Sequence, residues 1–151
     1  MPFMPVSFRP VLAAALGLVL LATPAARAAG LCEDGLTTGS APLLTPVIDA
    51  ALRGDYRELT EALDPGSVMM VQENRQGMIA DLEALAPLGY DDCAVLVARP
   101  LGPDFEVYLM MFGSDRARLY AFLAASRIDG AWTFVHQKFS PDFAAVYELL
   151  R

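Results

Sequence analysis

The chain has 151 residues, 55% of them hydrophobic, with 18 acidic side chains against 11 basic ones and a single histidine. That is the length of one domain, and the apolar content excludes a disordered chain. An acidic balance without a basic run excludes a nucleic-acid binder, because such binding rests on Lys and Arg neutralising phosphates.

The first 28 residues read as a secretory signal. Arg9 precedes an unbroken apolar run from Val11 to Ala22, and Ala26-Arg27-Ala28 supplies small residues for cleavage between Ala28 and Ala29. Twelve apolar residues are too few to span a membrane, which takes about 20. The residue before Cys32 is Leu31, where lipoprotein processing wants a small side chain. Cleavage removes Arg9 and Arg27 and leaves 9 basic residues against 18 acidic ones, a charge of −9. The expected location is the periplasm or the exterior, with no membrane attachment after cleavage.

Cys32 and Cys93 are the two cysteines. In an oxidising compartment pairing is the default. With no CxxC and no second histidine, neither a metal pair nor a catalytic thiol has support. The expectation is a structural disulfide.

Residues 29–44 carry Gly30, Gly35, Gly39 and Pro42 and read as an extended arm. The domain proper covers 45–151. Thr45-Pro46 opens a helix, with Thr as N-cap and Pro at the first helical position. Ile48, Leu52, Tyr56, Leu59 and Leu63 form its apolar stripe. Gly54-Asp55 interrupts it, and Asp55 with Glu58 restarts a second helix as a capping box. Asp64-Pro65-Gly66-Ser67 is a turn, and Val68–Val71 is ambiguous between helix and strand. A helix follows from Gln72 to Ala86 and ends at Pro87 and Gly89.

Four segments rich in β-formers come next: Ala94–Arg99, Phe105–Phe112, Arg118–Ile128 and Ala131–Phe139. Pro100–Pro103, Gly113–Asp115 and the hairpin pair Asp129-Gly130 separate them. Ser140-Pro141-Asp142 caps a short final helix whose face is Phe143, Val146, Tyr147 and Leu150. The class is α+β: helices on one face of an antiparallel meander of about four strands.

The string IDAALRGDYRELTEAL (48–63) and the closing RIDGAWTFVHQKF (127–139) resemble the cystatin-like cone superfamily. That superfamily includes nuclear transport factor two, ketosteroid isomerase and small exported domains of unknown role. The resemblance covers residues 45–139. It implies a strongly curved sheet that wraps the helices and leaves a pocket for catalysis or ligand binding.

The candidate chemistry is sparse. His136, by two-residue alternation, lies on the same side as Trp132, Phe134 and Lys138. It is a candidate general acid/base, or a histidine at the sheet's rim. Glu106 and Tyr108 share a face with Met110 and Phe112. An acid in an apolar strand can have a raised pKa and move a proton, and it can also be a solvent-facing residue at a strand end. Tyr108, Tyr120 and Trp132 are the candidate ligand-binding aromatics. Met69-Met70, Met78 and Met110-Met111 suggest copper by their thioethers, yet core filling is the commoner use of Met. Asp91-Asp92 reads as a solvated turn rather than a calcium loop. There is no GxSxG, HExxH, P-loop, GxGxxG or CxxCH, so no cofactor is expected.

The leading expectation is a non-enzymatic exported domain. Its cone takes a small apolar ligand, or its open sheet face pairs with a protein partner, including a second copy of itself. The alternatives are an isomerase- or hydrolase-like enzyme using Glu106 or His136, and a structural accessory module of an envelope assembly.

Overall fold

A computed structural model describes Cys32, Leu36, residues 38–64, Met70 and residues 72–151. The signal segment, its cleavage site at Ala28 and Ala29, most of the arm and the stretch around Val68 lie outside the described residues. No helix among those described is long and apolar enough to cross a membrane.

Helix formation starts before Thr45. A 3-10 turn, Ala41–Leu43, runs into α1, Leu44–Arg53, and no side chain caps either one. Pro42 and Pro46 both fall in first turns, where a missing N–H removes no helical bond. Residues 41–44 therefore belong to the helical layer and not to an extended arm. Gly54 ends α1 in the left-handed region, at φ 72°. Asp55 then accepts from the Glu58 N–H at 3.0 Å and starts α2, Tyr56–Leu63. The elbow at Gly54 rests against Gly89. A Cβ on Gly54 would stand 2.7 Å from the Gly89 nitrogen, so the two glycines let the backbones touch.

Helix α3, Gln72–Leu85, is mostly polar, and only Arg75 and Leu82 are buried on it. Arg75 reaches back to Asp64 and donates to its carbonyl oxygen at 3.1 Å and to Oδ2 at 3.2 Å. Tyr56 donates to the Ala86 carbonyl at 2.5 Å, which fastens the end of α3 to α2.

The sheet is an antiparallel meander in the order β1-β2-β3-β4. The strands are β1 (Asp92–Gly102), β2 (Phe105–Gly113), β3 (Arg118–Ile128) and β4 (Ala131–Ser140). Asp129 (φ 51°) and Gly130 (φ 84°) form the β3–β4 turn, as a two-residue hairpin with both central residues left-handed requires. The register slips between Val95 and Val97 and between Pro100 and Gly102. The skipped residues, Leu96 and Leu101, bulge outward and are exposed.

One sheet face packs on α1 and α2. Tyr108, Met110, Phe112, Leu119, Ala121, Leu123 and Phe134 meet Leu44, Ile48, Tyr56, Leu59 and Leu63 there, in the main core. The Cys32–Cys93 disulfide lies in this core, with Cα atoms 5.4 Å apart.

The opposite face is also covered. Val107, Leu109, Phe122 and Ala124 form a second cluster closed by Val146 of α4, Phe143–Tyr147. Asp142 caps α4 and accepts from the Ala144 N–H at 2.9 Å. The helices are thus not confined to one face. The expectation of a single helical layer missed that Val146 has its own apolar patch to bury.

A third register slip decides the site. Ala124 pairs with His136 while Ala125 pairs with Phe134, so Val135 is an extra residue in β4. Alternation breaks there. Trp132 and Phe134 face the main core, whereas His136 and Lys138 face the second cluster. Simple two-residue counting had placed all four on one side.

Candidate functional site

Glu106 is buried near the start of β2, on the main-core face. Its carboxylate is the hub of a polar cluster that draws in residues some 66 positions away. Gly39 donates its N–H to Oε1 at 3.0 Å, and Ser40 donates its N–H to Oε2 at 2.8 Å. The Ser40 hydroxyl also donates to Oε2. Tyr108 donates to Oε2 at 2.9 Å and lies 2.6 Å from Ser40 Oγ. With its one proton so used, Tyr108 accepts from the Thr38 hydroxyl.

Burial alone would raise the Glu106 pKa. The bonds from Ser40, from Tyr108 and from the Gly39 N–H outweigh it and hold the carboxyl below its ordinary range. Burial raises the Tyr108 pKa, and the Glu106 charge adds to the rise. The direction for Glu106 is the reverse of what a general base needs. With these donors already committed to it, the carboxylate functions as a clasp for residues 38–40.

The clasp is closed from the side by an indole. A Cβ on Gly39 would stand 3.2 Å from Trp132 Nε1, so the arm passes close beside the ring. Trp132 is half-buried against the main core. Tyr120 is on the other face, edge-on to Phe143 with ring centroids 5.2 Å apart. His136 is exposed there too, edge-on to Phe122 at 5.8 Å, and its imidazole has no hydrogen-bond partner among the described residues. The fold brings Glu106 and Tyr108 together and sets Trp132 against their clasp. It separates them from Tyr120 and His136 by the thickness of the sheet.

A cavity lies elsewhere among the described residues. It has a volume of about 740 Å³, between α3 and the far end of β3 and β4. Its apolar lining is Met70, Met78, Leu82, Leu85, Leu119 and Phe139. Glu73, Asn74 and Asp81 of α3 and Gln137 and Ser140 of β4 supply polar groups. Along β3, Leu119 is six residues from Ala125, the partner of Glu106. At about 3.3 Å per residue that is roughly 20 Å. Among the described residues, neither Glu106 nor His136 lines the cavity, and neither do Tyr108, Tyr120 and Trp132.

The lining was only partly visible in sequence. Met78, Leu82 and Leu85 stood out as one side of a helix. Nothing marked the opposite wall, because Gln137 and Phe139 reach it only through the Val135 bulge. Of the methionines, Met78 and Met70 face the cavity and Met110 fills the core. Asp91 and Asp92 are exposed, beside Arg116 and Arg118 in a polar depression.

Among solved structures the chain is similar to an NTF-2-like protein of unknown function from Silicibacter pomeroyi DSS-3. The two are 20% identical, the match covers 66% of this chain and 89% of that one, and the TM-score is 0.46. No protein-family model matches the chain, and no curated protein does.

Proposed function

We propose that the chain is an exported, non-enzymatic domain that binds a small apolar ligand in the cavity between α3 and the sheet. The observation that carries this reading is the separation of that cavity from Glu106 and His136, the two candidate acid–base residues. An apolar pocket of several hundred Å³ with a few polar groups is the usual form of a small-molecule site. Glu106, the acid an enzyme would use, is occupied as a clasp. His136 stands on the opposite face without an orienting partner, which a general base requires. Export rests on the N-terminal sequence, and the Cys32–Cys93 bridge is compatible with it.

The test is titration with the fluorescent apolar probe N-phenyl-1-naphthylamine. Saturable binding is expected, and Met78→Trp, which fills the cavity from α3, should weaken it at least tenfold. Circular dichroism checks that the variant is folded. Failure of the folded wild-type protein to bind the probe would overturn the reading. So would unchanged binding in a folded Met78→Trp.

A further inference from the structure

Helix α3 turns two neighbouring rows of residues to the cavity, each with one residue per turn. The inner row, Asn74, Met78 and Leu82, deepens from an exposed residue to a buried one. The outer row, Glu73, Gly77 and Asp81, is exposed along the mouth. Its four-residue spacing puts Gly77 about 6 Å along the helix axis from each acidic residue.

Gly77 stands in mid-helix, where glycine is a poor helix former, and no packing within the chain requires it. A Cβ built there would meet no atom within 4 Å. By contrast, Gly54 and Gly89 press on each other's backbone. The outer row therefore has a gap between two carboxylates.

Those carboxylates also lack a counter-charge. The ion pairs among the described residues are Arg53–Glu58 and Arg75–Asp64. On a helix a partner would sit three or four residues away, and no such position around Glu73 or Asp81 is basic. The position four residues from both is Gly77. Cations on the neighbouring elements are directed elsewhere. Arg75 is bonded to Asp64, and Arg118 donates to the Ser114 and Ala117 carbonyls. Lys138 borders the cavity, but its cross-strand partner is Phe122 of the second cluster, so its side chain leaves β4 on the other face. Two carboxylates fall short of the six or more oxygens that calcium takes, and the floor beside them, Met78, Leu82 and Leu85, is apolar.

We propose that the cavity selects apolar molecules carrying one ammonium group, with the apolar body on Met78, Leu82, Leu119 and Phe139 and the cation lodged over Gly77 between Glu73 and Asp81. This rests on the ligand-binding reading above and names its ligand class. Gly77 leaves the room, and the two carboxylates sort ligands of equal size by charge.

Three probes of one ring system test this: 2-naphthylmethylamine, a cation at neutral pH, the neutral 2-naphthalenemethanol, and the anion 2-naphthoate. Each is titrated calorimetrically into wild type, into Glu73→Gln/Asp81→Asn, and into Gly77→Lys, which ties an ammonium of the chain's own into the gap. Circular dichroism checks that each variant is folded. Wild type at low salt should bind the amine about tenfold more tightly than the alcohol, and about 0.5 M salt should shrink that ratio. The anion should bind more weakly than the alcohol. Either variant should bring amine and alcohol within about twofold of each other. Equal affinities in wild type, a ratio indifferent to salt, or tighter binding of the anion would overturn the selection for a cation and leave the ligand-binding reading standing. A preference that survives in either folded variant would overturn the assignment to this row. If none of the three probes binds folded wild type, the ligand-binding reading itself fails.

Discussion

Ser40 gives both its backbone N–H and its hydroxyl to one carboxylate oxygen of Glu106. This double bond donation joins the entrance of the helical layer to the second strand, in a place shielded from water.

Glu106→Ala should therefore cost about 2–4 kcal/mol, because it strands the buried Ser40 N–H and removes the acceptor that the Ser40 and Tyr108 hydroxyls share. Chemical denaturation measures this. Because the folded pKa is depressed, the ionised carboxylate stabilises the fold above its unfolded pKa of about 4.3. That contribution is lost as the pH falls through the lower folded value. The stability gap between wild type and Glu106→Gln should accordingly shrink on acidification below about pH 4.3. A gap that is constant or widening in that range would show that the carboxylate is not held as its bonds imply.

The bridge between Cys32 and Cys93 spans 61 positions. Loop-closure entropy gives it about 4 kcal/mol of stabilisation. Chain exported by its own host should have an intact mass that starts at Ala29 and lies two hydrogens below the reduced form. Reduction should lower the denaturation midpoint. A mass that begins at Met1 would contradict the export, and two free thiols would contradict the pairing.

Trp132→Ala should cost about 2–3 kcal/mol, less than the 3–5 typical of a wholly buried tryptophan, because the ring is half-buried. Its loss also removes the ring that stands beside Gly39, so the acid transition governed by Glu106 should move with it. A thermal melt read at neutral and acid pH separates the two effects. A neutral substitution would place the indole outside the packing.

Local chemistry was the most readable part of the chain. Asp55, Asp142 and the Asp129-Gly130 pair each act within a few residues of themselves, so their types alone give a cap or a turn. The strands showed through their β-branched and aromatic runs between those turns. The clasp did not show. Glu106 finds its donors at Gly39 and Ser40, in a stretch with no periodicity of its own, and such a pairing leaves no local signature. Nor did the cavity show, because its sheet wall depends on one inserted residue. Up to Phe134 the alternation in β4 holds, and beyond Val135 every assignment inverts. The second apolar cluster was hidden for a related reason. Val107, Leu109 and Phe122 look like ordinary core positions until Val146 is seen to lie on them.

That single inserted residue gives the last strand two allegiances. A chain in which Val135 took a regular place in the ladder would still have the hydrophobicity and length for the same hairpin. Its final third, however, would turn inside out, with His136 and Lys138 driven beneath the helices and Gln137 and Phe139 cast onto the reverse surface. The hollow beside α3 would lose one of its walls, and the little C-terminal helix would be set against a changed neighbour. In this small protein, a lone hiccup in strand pairing keeps the two sides of the sheet from trading places.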